Sequence, residues 1–78
     1  RGGLLMAEPF AFTLRGEYIT LDALLKASGM VSSGGAAKVL IGEGGVRVNG
    51  EAESRRGRKL RAGDAVTLSD GRVIRVSA

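Results

Sequence analysis

The sequence predicts an α+β fold, and three observations support the prediction. Large apolar residues at positions 10, 12 and 14 alternate with Ala11, Thr13 and Arg15, as in a short strand with one buried face. The leucines of residues 21–25 lie at positions i, i+3 and i+4, which gives a helix an apolar stripe. The dipeptides Asn49-Gly50 and Asp70-Gly71 follow alternating apolar residues and therefore indicate two β-hairpins.

The first strand is expected to end at Gly16, and a helix to begin after Thr20, which we predict to be its N-cap. Asp22 then lies in the first helical turn, where the helix dipole stabilises a negative charge. Gly29 is expected to end this helix, because glycine readily adopts the left-handed conformation found at helix C-termini.

A second helix is predicted after Ser32 or Ser33, either of which can cap it, and Gly44 or Gly45 is expected to end it. Its buried stripe consists of Ala37, Leu40 and Ile41. The opposite face carries Gly34, Gly35, Lys38 and Gly42.

Glycines lower helix propensity, so this bare helix face needs a reason. Either another part of the protein packs closely against it, or a bulky polar backbone approaches it with Lys38 as the counter-charge. We favour the second interpretation, because the free N–H groups at a helix N-terminus attract anions.

The Asn49-Gly50 hairpin has two possible registers. A two-residue loop would place Glu51 and Glu53 on the face of the valines. A three-residue loop with Gly50 left-handed sets Val46 opposite Ala52 instead, so we predict the three-residue loop. In the last hairpin, a loop of residues 69–71 with a bulge at the glycine sets Val66 opposite Ile74, and we predict that register.

The composition excludes several kinds of site. The 78 residues include no cysteine and no histidine, so disulfides, thiolate metal sites and the usual nucleophile–base pairs are absent. We therefore predict no enzymatic activity, no cofactor, no metal and no small-molecule substrate. No apolar run approaches the roughly 20 residues of a membrane span, and we expect a cytoplasmic monomer. Aromatic stacking could involve only Phe10, Phe12 and Tyr18.

Basic residues cluster in one segment. The chain has a net charge of +4, and residues 55–61 alone contain five basic residues and no acid. Most are arginines, whose planar guanidinium groups suit phosphate. The segment is either a solvated loop or a surface for a phosphate backbone, and we favour RNA.

Several motifs resemble the S-four RNA-binding domain, a module with an alpha-L motif. They are LxxLL at 21–25, SxxxAK at 33–38, GxVxVNG at 44–50 and GD at 63–64. The narrower patterns SGGxAK at 33–38 and NGExExRRGxKL at 49–60 resemble the small, stand-alone YbcJ-like group of this family. The resemblance covers roughly residues 12–69.

The resemblance implies two helices in an L, packed on a small antiparallel sheet. It also implies non-catalytic binding of structured RNA, ribosomal or transfer RNA, through the second helix and the hairpin after it. By position, the contacting residues are Ser33, Gly35, Lys38, Arg47 and Asn49. The basic residues Arg55, Arg56, Arg58 and Lys59 extend this surface into a groove.

Three alternatives stay open. Many family members have an arginine at the start of the second helix, where this chain has Ser33 or Gly34, so the weight of our prediction moves to residues 55–59. Asn49 is either an RNA contact or only a turn former. The basic surface could instead dock on an acidic partner as a protein–protein adaptor.

Residues 1–8 are predicted to be a disordered extension or a cloning remnant, with Met6 the natural start, ahead of a single domain at 9–78.

Overall fold

Within residues 10–78, the part of the chain that the computed structural model describes, there are two helices and seven strands. The prediction for residues 1–8 lies outside these residues. In chain order the elements are β1 (Phe10–Thr13), β2 (Ile19–Thr20), α1 (Leu21–Ala27), α2 (Gly34–Gly42), β3 (Val46–Val48), β4 (Glu51–Ala52), β5 (Lys59–Leu60), β6 (Ala65–Leu68) and β7 (Val73–Ser77). The predicted α+β class is confirmed.

The main sheet has five strands in the order β1-β7-β6-β3-β4. All its pairs are antiparallel, as predicted, except that β1 runs parallel to β7. A parallel pair needs a long connection, which the chain between β1 and β7 supplies. β2 and β5 form a separate antiparallel ribbon with Ile19 opposite Leu60, and no sequence pattern predicts this ribbon.

Both helices and the main sheet bury their apolar side chains in one core. The predicted leucine stripe of α1 is fully buried, and so is the stripe of α2 apart from Leu40, which is half-buried. The buried apolar residues of the described chain are Leu21, Leu24, Leu25, Ala37, Ile41, Val46, Val48, Leu60, Val66, Leu68, Ile74 and Val76. The two predicted helix stripes are confirmed.

The helices end at glycines, as predicted. Gly29 follows α1 with a φ of +78°, and the next N–H, that of Met30, donates to the Leu25 carbonyl at 3.0 Å. This is a Schellman motif, in which a left-handed residue lets the chain satisfy the last free carbonyls of the helix. Gly44, with a φ of +81°, ends α2 in the same way.

The two helix starts differ from each other. Ser33 caps α2, since its Oγ accepts a hydrogen bond from the Ala36 N–H at 3.1 Å. Thr20 is the N-cap of α1, as predicted, but its side chain makes no capping bond. Its hydroxyl instead donates to Asp22 Oδ1 at 2.7 Å, and the same oxygen accepts from the Ala23 N–H.

The register predicted for the first hairpin is wrong. β3 and β4 are joined by a two-residue loop, with Val48 opposite Glu51. Asn49 and Gly50 both have positive φ angles, +52° and +86°, as a type I′ turn requires. The same register carries Glu53 onto the valine face, where it is only 7% exposed.

The register predicted for the last hairpin is confirmed. Val66 lies opposite Ile74, and Gly71 at the end of the loop has a φ of +95°. The left-handed glycine lets a three-residue loop keep the apolar residues of β6 and β7 on one face of the sheet.

Candidate nucleic-acid interface

The bare face of α2 is open in the structure. A Cβ atom added at Gly34 or Gly42 would meet no atom of the described residues within 4 Å, and one added at Gly35 would meet only Ser33 Oγ at 3.8 Å. These glycines therefore make no room for another described part of the protein. Lys38 is exposed on the same helix, so this face offers backbone, one cation and free space to a ligand.

Arg47 lies in the middle of β3 and is exposed, as predicted. It borders a surface depression of about 300 Å³ near the C-terminal end of α2. The other lining residues are Gly44, Gly45, Thr67, Leu68 and Ser69. The lining of the depression is more polar than apolar, which suits a solvated group better than an apolar ligand.

Asn49 joins two turns of the fold. Its Nδ2 donates to Asp64 Oδ1 at 3.0 Å, and its Oδ1 accepts from the Ala65 N–H at 2.9 Å. The other carboxylate oxygen of Asp64 accepts from the Arg61 N–H at 2.8 Å. That backbone bond, with the Asn49 bond, lowers the pKa of Asp64. The structure thus gives Asn49 a role inside the fold beyond that of a turn former.

A buried acid organises residues 55–59, which we call the arginine segment. We define the Glu53 clamp as Glu53, Arg55 and Arg58. The Glu53 carboxylate accepts from Arg55 Nε at 3.1 Å and from Arg58 Nη1 at 2.8 Å. The backbone N–H groups of Ser54 and Arg55 also donate to its Oε2, each at 3.1 Å.

These bonds, that of the Arg55 side chain first, lower the pKa of Glu53 to about 2, although burial acts in the opposite direction. An acid can therefore lie on the valine face, because its charge is paired and its oxygens are hydrogen-bonded. The prediction of a three-residue loop, made to keep Glu53 off the valine face, overlooked Arg55 and Arg58, which follow it in the chain.

The backbone of the arginine segment is fixed to the first helix. The Arg58 carbonyl accepts from the Leu21 N–H at 2.9 Å, and the Arg56 carbonyl from the Asp22 N–H at 3.0 Å. These bonds satisfy two of the N–H groups that α1 leaves free at its amino end. Residues 56–58 therefore lie at the amino end of α1, and the groove that they were expected to share with α2 stays a prediction.

Arg56 and Lys59, the other two predicted cations of the arginine segment, can contact a ligand. Arg56 is exposed and forms no ion pair with a described residue. Lys59, the first residue of β5, places its Nζ 4.9 Å from the centre of the Tyr18 ring, and Arg61 places its Cζ 6.0 Å from it.

Sequence reasoning missed Glu53 and Asp64 as the acids that shape this region. The spacing of the pattern ExRxxR at 53–58 is the signal that could have found the first. For Asp64, the motif GD at 63–64 marks the position, but local spacing does not show its bond to Asn49, which is 15 residues away.

Two features are absent from the described residues: a membrane-crossing helix and a cluster of metal ligands. Neither α1 nor α2 has the length and hydropathy that a membrane-crossing helix needs. Residues 10–78 also contain no group of three or more acidic, histidine or cysteine side chains that could hold a metal ion.

Comparison with known proteins identifies relatives over most of the chain. The family model of the S4 (S-four) domain matches residues 12–77. The chain is 44% identical over 63 residues to the probable ribosome maturation protein RlbA of Bacillus subtilis. This match covers 81% of the present chain and 86% of RlbA. It is 40% identical over 52 residues to the putative RNA-binding protein YbcJ of Escherichia coli, covering 67% of this chain and 74% of that one.

The fold also has a solved counterpart. The solution structure of YbcJ from E. coli, described as an alfaL motif involved in RNA-binding, superimposes with a TM-score of 0.71 at 36% identity. The match covers 94% of this chain and 92% of the other. The predicted alpha-L fold and the predicted resemblance to the YbcJ-like group are confirmed.

Proposed function

We propose that this chain, which belongs to the S4 domain family, binds structured RNA and catalyses no reaction. The observation that supports the proposal best is the arginine segment itself. Four cations at positions 55, 56, 58 and 59 are held on a backbone that is hydrogen-bonded to α1, against the single carboxylate of Glu53.

The Glu53 clamp fixes two of these cations without removing them from solvent. The side chain of Arg55 is 74% exposed and that of Arg58 is 33% exposed, so each can still contact a phosphate. A guanidinium that is held in place loses less side-chain entropy when it binds. Ser33, Gly35 and Lys38 on α2, and Arg47 on β3, are the further contacts that we propose on this basic surface.

We further propose that the ligand is ribosomal or transfer RNA, bound by a monomer in the cytoplasm. The name of the B. subtilis relative supports the ribosomal choice. An RNA duplex offers phosphates, 2′-hydroxyls and shape rather than a readable major groove. A rigid row of cations suits such a ligand, because it reads backbone geometry instead of base identity.

The test compares a ribosomal RNA hairpin, a transfer RNA and a DNA duplex of the hairpin sequence, each titrated at several salt concentrations. We expect both RNAs to bind more tightly than the DNA, with log K falling linearly against log salt. Equal affinity for RNA and DNA, or binding that ignores salt, would contradict the proposal.

Two matched variants test the surface. Arg56→Ala and Arg75→Ala each remove one exposed arginine that has no ion pair among residues 10–78, the first from the arginine segment and the second from β7. We expect Arg56→Ala to weaken RNA binding by about three- to tenfold and to reduce the salt slope by about 1. Arg75→Ala should leave both unchanged, and equal effects of the two variants would remove the arginine segment from the site.

Co-purification separates RNA binding from the adaptor function. If a protein partner stays bound to the chain after nuclease treatment while no RNA fragment binds, the basic surface serves an acidic protein. Loss of the partner on nuclease treatment is the result that we expect.

A further inference from the structure

An exposed aromatic ring lies beside two cations on the small ribbon. Ile19 and Leu60 are opposite each other and face the core. Side chains alternate along a strand, so Tyr18, Lys59 and Arg61 project from the other side of the ribbon. The Lys59 ammonium lies 4.9 Å and the Arg61 guanidinium 6.0 Å from the Tyr18 ring centre.

The ring keeps much of its surface in solvent. Tyr18 is 45% exposed. A cation–π contact at an exposed site is weak, so internal stability alone is a poor reason for this arrangement. Neither Lys59 nor Arg61 forms an ion pair with a carboxylate of the described residues, so both charges can serve an anion.

This cluster continues the surface of the proposed function. Lys59 belongs to both, since it is the last residue of the arginine segment and the first of β5. A phosphate chain that follows the arginines would therefore reach the ring. A base within a duplex cannot stack on it, because its faces are already covered, whereas an unpaired base can.

We propose that Tyr18, with Lys59 and Arg61 beside it, is a stacking site for an unpaired nucleotide next to the RNA duplex. The base stacks on the ring, and the two cations contact the flanking phosphates. This inference rests on the proposed function and narrows its ligand to a junction between double-stranded and single-stranded RNA.

The first test needs no substitution. Tyr18 is the only tyrosine of the chain, so replacing tyrosine by 3-fluorotyrosine gives a single ¹⁹F resonance from this ring. The probes are a blunt RNA hairpin, closed by a polyethylene glycol linker instead of loop nucleotides so that it has no unpaired base, and the same hairpin with a two-nucleotide single-stranded overhang. We expect the resonance to shift with the overhang hairpin and to stay nearly unchanged with the blunt one. An identical response to both hairpins would overturn the inference.

The second test measures affinity. Tyr18→Leu should weaken binding of the overhang hairpin by about tenfold and leave that of the blunt hairpin unchanged. Tyr18→Phe keeps the ring and is the matched control, for which we expect no change. Equal weakening for both hairpins, or none, would overturn the stacking site.

The two proposals fail in different ways. Salt-dependent binding of the blunt hairpin without any response of Tyr18 would leave the proposed function standing and end this inference. Absence of binding by either hairpin would contradict the proposed function itself.

Discussion

A single acid determines how the arginine segment is held. Glu53 lies on the apolar face of the sheet, where an unpaired carboxylate would be costly to bury. Its bonds to Arg55 and Arg58 offset that cost, and they also hold these two side chains in place. The residue is therefore important for folding and for the presentation of the cations.

Replacing this acid tests the Glu53 clamp. Glu53→Gln keeps the size of the side chain but removes its charge, so we expect the free energy of unfolding to fall by about 2 kcal/mol. Urea denaturation measures the change. Glu51→Gln, at an exposed acid of the same hairpin, is the control, and we expect it to change little. An equal loss in both variants would show that the clamp adds no stability.

The same variant isolates a pH effect. The folded protein holds the pKa of Glu53 at about 2, below its ordinary value of 4.5, so the unfolded chain binds more protons between these values. The stabilisation is present above about pH 5 and is lost as the pH falls towards 2. It amounts to at most about 3 kcal/mol. Asp64 and Asp70 also have lowered pKa values, so the Glu53 contribution is the difference between wild type and Glu53→Gln.

At the scale of elements, strong periodicity predicted the structure well. Both helices and the register of the last hairpin follow from local patterns that the core confirms. The register at Asn49-Gly50 was wrong because the choice depended on where Glu53 can lie, and the prediction did not count Arg55 and Arg58 as its partners. The ribbon of β2 and β5 was missed because two residues are too few to show an alternation.

For the candidate site too, the sequence predicts some features and not others. The sequence shows that residues 55–59 are basic, but not that their backbone caps α1, since the bonds join residues more than 30 positions apart. Nor does it show that the side chain of Asn49 bonds to a second turn. The exposure of the α2 glycine face follows from the tertiary packing, which local spacing does not encode.

The glycine face of α2 carries a prediction of its own. Gly35→Ala should stabilise the fold by about 0.5 kcal/mol, because the helix gains propensity and the added Cβ meets only Ser33 Oγ at 3.8 Å. The same change should weaken RNA binding if a phosphate backbone approaches this face. Gly42→Ala, at the other end of α2, should raise stability with no loss of affinity. Unchanged RNA affinity of Gly35→Ala would remove Gly35 from the interface. Thermal melting and RNA titration measure the two effects.

At the scale of the whole molecule, the sheet has little free edge. Its outer strands are β1, with four residues, and β4, with two. Short edges offer a second copy few hydrogen bonds. We therefore expect a monomer of 8.1 kDa in sedimentation equilibrium across micromolar concentrations. A concentration-dependent dimer that disappears when Ala11 is replaced by proline would show instead that β1 pairs between copies.

The pairing of β1 with β7 determines when the main sheet can be completed during synthesis. Phe10 lies beside Ile74, and the Leu14 N–H donates to the Ser77 carbonyl at 2.8 Å, so β1 pairs with a strand more than 60 positions later in the chain. Such long-range contacts form slowly, because the ends of a long loop must first meet. During synthesis on the ribosome, helices and hairpins can form as they emerge, while the sheet is completed only once its final strand has left the exit tunnel.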